Sequence, residues 1–175
     1  VSRLSPPLEK MPPLSSVVEQ NRSLAALAAD AFAYGQRQGQ GLAALGITVN
    51  FSPVVDLTPA HESSRLDFHS LINLRTISQD PQLTTAVGDA YVKGLQSQGI
   101  MATLKHFPGL GRVREDTHHF SAPLNVSPAV LQQSDWVPFK EISSKNNVLI
   151  MIGHVVLAEV DADNPASFSK PVIQD

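Results

Sequence analysis

One join recurs along this chain and restricts its fold more than any other feature: a helical run, a glycine, then a short apolar strand. From Leu24 to Ala44 the residues are mostly Ala, Leu and Gln, strong helix formers with apolar side chains at helical spacing. Gly35, Gly39 and Gly41 are expected to weaken the later half of that helix, Gly46 stops it, and Ile47-Thr48-Val49-Asn50-Phe51 reads as a strand. Gln82 to Gln98 reads as a second helix, entered at Asp80-Pro81 and capped by Gly99, with a strand from Ile100 to Lys105. A third unit, without the glycine, starts at Ser127-Pro128, runs as a helix through Ile142 and gives a strand from Val148 to Ile152.

Helices alternating with continuously apolar strands predict parallel strands covered by helices. No glycine-rich nucleotide loop follows any strand, so the α/β class resolves to a (β/α)8 TIM-type barrel rather than an open sheet. The chain would supply three to four of its βα units. In such folds polar groups at the strand C-terminal ends are the functional suspects. Here those ends carry Asp56 after FSPVV, Lys105-His106 after MATL, and His154 after VLIMIG.

The second of these ends stands out. Lys105-His106 is followed by Phe107-Pro108-Gly109-Leu110-Gly111, a turn-forming run, and then by a loop with Arg112, Arg114, Glu115, Asp116, Thr117, His118 and His119. A rigid strand thus delivers a cation and an imidazole to the base of a polar loop, the usual way a site is assembled. The long link from Leu57 to Ile77 adds His61, Glu62, Arg65, Asp67, His69 and Arg75. On pattern alone each residue has a plainer reading. Lys105-His106 could be a solvated strand end, Arg75 a surface arginine, His154 a satisfied core histidine, and Asp116-Thr117-His118 ordinary loop polarity.

Composition narrows the function classes. The chain has 175 residues, 42% hydrophobic and 17% charged, with a formal net charge of -3 and no cysteine. The acidic balance gives no electrostatic footprint for nucleic acid, and no run approaches the length of a membrane span. Without cysteine there is no thiolate chemistry, and no HExxH or comparable spacing marks a metal site, so neither metal nor cofactor is expected. Val1-Ser2-Arg3-Leu4 and the closing Lys170 to Asp175 both read as interior sequence, so the chain is expected to be a fragment. Its compartment stays open, with the cytoplasm favoured.

The segments FSPVVDL (Phe51 to Leu57), NLRTISQDP (Asn73 to Pro81), KHFPGLG (Lys105 to Gly111), DTH (Asp116 to His118) and MIGHVVLAEVDADNPASFS (Met151 to Ser169) resemble the N-terminal domain of glycoside hydrolase family 3. The resemblance is to its bacterial β-N-acetylhexosaminidase branch. Residues 1–175 would then be the central part of that barrel domain, truncated at both ends. The resemblance implies removal of terminal β-linked N-acetylglucosamine with retention, from a glycan or a muropeptide as in peptidoglycan recycling. It implies His118 as general acid/base with Asp116 as its partner, and Arg3, Arg75, Lys105 and His106 on the sugar hydroxyls. The family's Asp nucleophile would lie beyond Asp175, so the fragment alone is expected to be inactive and to self-associate through open strand edges. Leu110 stands where the family usually has His, a change expected to loosen or redirect the loop. A β-glucosidase-like member and a non-catalytic sugar-binding protein are the alternatives.

Overall fold

The computed structural model describes residues 4–18, 22–60, 72–113 and 122–174. Three parallel strands, β1 (Val49–Asn50), β2 (Met101–Phe107) and, after the short strand β3 (Pro123–Leu124), β4 (Leu149–Ile152), form a sheet in the order β1-β2-β4. Val49 pairs with Met101 and Thr103 with Leu149, so the strands predicted to be parallel are parallel.

The two long helices follow their sequence signals closely. Helix α1 (Leu24–Ala44) is capped by the Ser23 hydroxyl, which accepts from the Ala26 amide. Helix α2 (Pro81–Gln96) starts with Pro81 behind Asp80, whose carboxylate accepts from the Gln82 amide at 2.8 Å. Gly46 and Gly99 follow these helices with φ of 73° and 74°, a backbone region that glycine enters without a Cβ clash.

The glycines inside α1 do not weaken it. Gly35 lies against the Tyr91 backbone, and Gly94 of α2 lies against the Phe32 carbonyl. The missing Cβ atoms let the two helices approach closely, and the packing gained outweighs the propensity lost.

On β2 the side chains alternate. Ala102 and Leu104 join Val55, Tyr91, Val92, Leu95, Phe139 and Ile142 in the core between sheet and helices. Met101, Thr103 and Lys105 take the other face. Tyr91 is 1% exposed; its hydroxyl donates to Ser52 Oγ at 3.0 Å and accepts from Asn50 Nδ2 at 3.1 Å, tying α2 to the β1 end.

Two expectations need correction. The predicted strand of residues 47–51 is reduced to Val49–Asn50, because the Ser52 amide turns back to the Asn50 carbonyl at 2.9 Å instead of continuing the ladder; pairing resumes at a bridge between Val54 and Lys105. The helix predicted from Ser127 to Ile142 is two helices, α3 (Pro128–Gln132) and α4 (Val137–Ser143). A continuous helix would need an amide at Pro138 for the Ser134 carbonyl. Instead the Trp136 amide reaches back to Leu131 O at 2.8 Å, and Ser134, Asp135 and Trp136 form a turn. Beyond β4, β5 (Val156–Leu157) pairs in parallel with β3, and a short helix α5 (Lys170–Gln174) follows. No helix among the described residues is long and apolar enough to cross a membrane.

Candidate active site at the strand ends

Parallel pairing places the C-terminal ends of β1, β2 and β4 side by side, and with them the polar residues that follow each strand. Asp56 is fully buried at this end. Its carboxylate accepts from the His106 amide at 3.1 Å to both oxygens, from His106 Nδ1 at 2.8 Å and from the Leu110 amide at 2.8 Å. The Asp56 contact sets the ring tautomer: Nδ1 carries its hydrogen toward the carboxylate.

A bulge makes this possible. Lys105 pairs with Met151 and Phe107 with Ile152, so His106 is an extra residue in β2. Its ring is thereby released from strict alternation and settles on Asp56, as bulges beside active sites commonly allow. The Lys105–His106 peptide is cis.

Lys105 is partly buried beside this carboxylate. Burial holds its ammonium below the usual 10.5, the Arg75 guanidinium pushes in the same direction, and the Asp56 carboxylate opposes both. Arg75 thus lies within electrostatic reach of Lys105. It follows the 3-10 turn Ile72–Leu74, and its amide bonds to the Ile72 carbonyl at 2.9 Å. That turn is tied back to the β1 end, where Thr58 Oγ1 donates to Thr76 Oγ1 at 2.9 Å.

His154 follows Gly153, whose amide donates to the Phe107 carbonyl at 2.6 Å. A Cβ on Gly153 would lie 3.4 Å from His106 Cβ, so the β4 end abuts His106 directly. The His154 ring is exposed and meets Ser167 Oγ at 2.8 Å through Nδ1. It is therefore not a core histidine.

The loop base is fixed rather than loosened. Leu110 is 6% exposed and packs with Ile72, Leu124, Leu131, Val155 and Leu157. Gly111 sits so close to the Leu57 carbonyl that a side chain would collide with it. Leu110 thus anchors by burial where a loosening was expected. Sequence reasoning also passed over Asp135 and Trp136. The only signal for them was Ser134-Asp135 ahead of Pro138, a helix-start pattern inside what reads as one helix.

Asp56, Arg75, Lys105, His106 and the His154 segment are brought to one end of the sheet. Arg3, Asp116 and His118 lie outside the described residues. Among the described residues no three His, Asp or Glu side chains form a group able to hold a metal ion. Chemically the cluster offers an ammonium, a guanidinium and an imidazole around one buried carboxylate. Such donors make directional, charge-assisted hydrogen bonds to a ligand rich in hydroxyls.

The fold and site define part of a TIM-type β/α barrel with a polar, cation-rich centre at its strand C-terminal ends. The family described as Glycosyl hydrolase family 3 N terminal domain matches residues 11–175, and the chain belongs to that family. A Beta-hexosaminidase of Xanthomonas euvesicatoria is 40% identical over 151 residues, covering 85% of this chain and 42% of that protein. A crystal structure of a GH3 family member from Mycobacterium smegmatis aligns with a TM-score of 0.83 at 30% identity, over 98% of this chain and 50% of that one. NagZ from Neisseria gonorrhoeae in complex with N-trifluoroacetyl-D-glucosamine aligns at 0.80 and 29% identity, over 92% of this chain and 45% of that one. The chain spans less than half the length of the curated relatives it matches.

Proposed function

We propose that the complete protein is a retaining glycoside hydrolase that removes terminal β-linked N-acetylglucosamine, from glycans or muropeptides such as those of peptidoglycan recycling. Arg3, Arg75, Lys105 and His106 bind the sugar hydroxyls, His118 is the general acid/base and Asp116 is its partner. The nucleophile is a carboxylate outside this chain, as retention requires a second group across the sugar ring. The observation that carries this reading is the Lys105-His106 strand end seated on buried Asp56 with Arg75 in electrostatic reach. The names of the relatives and the glucosamine derivative bound to the Neisseria protein support the choice of sugar.

The test is hydrolysis of an aryl N-acetyl-β-glucosaminide by the complete enzyme, with the product followed by proton NMR from the first minutes. The β-anomer of N-acetylglucosamine is expected first. Initial α-anomer, or release of glucose in preference to N-acetylglucosamine from the matching glucoside, overturns the reading. A sugar-binding protein without turnover is less well supported, because the sequence keeps Asp116-Thr117-His118, the residues read as carrying proton transfer, intact. The exposed side chains of Phe51, Leu149 and Ile150 support self-association of this stretch when isolated.

Lys105 makes opposite predictions for binding and for stability. The folded protein holds the Lys105 proton less tightly than the unfolded chain does. Stability therefore rises with pH in the interval between its lowered value and 10.5, since the unfolded state binds more protons there. Sugar binding needs the ammonium and falls over the same interval. Calorimetry should show affinity decreasing with pH there, while the stability difference between Lys105→Met and the parent narrows. Affinity that stays flat across the interval would remove Lys105 from the sugar site.

A further inference from the structure

The turn between α3 and α4 grips the loop that leaves β2. The Pro108 carbonyl accepts from Trp136 Nε1 at 3.0 Å. A Cβ on Gly109 would lie 3.1 Å from Asp135 Cβ, so loop and turn are in direct contact. Arg112 closes the contact: its Nε donates to Asp135 Oδ2 at 2.8 Å and its Nη2 to Ser134 Oγ at 3.1 Å. The Ser134 hydroxyl is also 2.7 Å from Asp135 Oδ2. On the opposite side of the loop, the Leu110 amide is held by Asp56.

Asp135 is 2% exposed, and its side-chain partners among the described residues are Arg112 and Ser134. An ion pair with its carboxylate buried adds little net stability, because that charge loses its water. What it does supply is direction. A guanidinium held through Nε and Nη2 has one orientation, and its backbone is fixed accordingly.

From this geometry we infer that Asp135 is a positioning residue for the reaction. By holding Arg112 it fixes the backbone at Arg112, four residues before Asp116 and six before His118 in the sequence. The inference rests on the reading of His118 as acid/base. It assigns the α3–α4 turn a part in proton transfer to the leaving group.

The test compares Arg112→Gln, Asp135→Asn and the double variant in the complete enzyme, on two N-acetyl-β-glucosaminides. One has an acidic phenol as leaving group and the other an alkyl alcohol that must be protonated as it departs. Misplacing a catalytic group from a distance can cost about 10²-fold. The alkyl glycoside should lose about that factor in kcat, the aryl glycoside much less, and KM should change little for either. The double variant should lose no more than the worse single, because the two residues act as one unit. Hydrogen exchange in residues 109–113 should speed up in each variant.

Equal losses on both glycosides, a change in KM alone, or unchanged exchange would overturn the inference. Should Asp135→Asn fail to fold, Arg112→Gln decides, since that side chain is 40% exposed. If the parent enzyme cleaves neither glycoside, the hydrolase reading itself fails and the proton-transfer role of Asp135 falls with it. Exchange then decides separately whether Asp135 holds the loop.

Discussion

Replacing His118 by alanine in the complete enzyme should lower turnover about 10²–10⁴-fold on a glycoside with a poor leaving group, the range for loss of a general acid/base. The loss should shrink sharply for an aryl glycoside with an acidic phenol, which departs without a proton. An imidazole suits this role because it can protonate the leaving oxygen and then deprotonate water near neutral pH. It also brings no negative charge toward a carboxylate nucleophile. If Asp116 acts through His118, Asp116→Ala should show the same dependence on leaving group. The double variant should then lose far less than the product of the singles. Equal, modest losses on both kinds of substrate would mean that the pair only positions the sugar, and the binding-protein alternative would gain accordingly.

Asp56 should give the second large effect, felt in stability and binding together. Asp56→Ala removes the acceptor of two backbone amides, His106 and Leu110, and of the His106 ring. A buried donor left without a partner costs about 1–3 kcal/mol, so two orphaned amides cost roughly 2–6 kcal/mol if both stay buried. The His106 ring is 13% exposed and can turn toward water, so it adds less. Thermal unfolding of the complete enzyme measures the sum. Asp56 also supports the Lys105 ammonium, opposing burial and Arg75. Its removal lets the Lys105 pKa fall further, so the alkaline loss of sugar binding should begin at a lower pH in Asp56→Asn than in the parent. An unshifted alkaline limb would show that Asp56 supports only the backbone.

The sequence by itself determined the parallel α/β architecture and the end of the sheet where chemistry gathers. The reason is that these signals are local. Ser23 and Asp80-Pro81 start helices through groups a few residues away, and Gly46 and Gly99 end them through their own φ angles. Once the strands are parallel, Asp56, Lys105 and His106 must meet at one end, because every strand runs the same way.

Tertiary structure decided what depends on partners far along the chain. Nothing near Asp56 says that its carboxylate will serve the amides of residues 50 and 54 positions later. Leu110, expected to loosen the loop, is instead buried against Leu131, Val155 and Leu157, which reach it only after two further elements have packed. Gly35 and Gly39 weaken an isolated helix but here admit α2, a gain that exists only in the pair. Strands β3 and β5 are two residues each, too short for any periodicity to register, and form only because other packing brings them together. Asp135 meets Arg112 across 23 positions, at a turn that Pro138 forces into what the helical pattern reads as continuous. Propensity acts over one or two turns of backbone. The partners of a buried charge are chosen by the packing of whole elements.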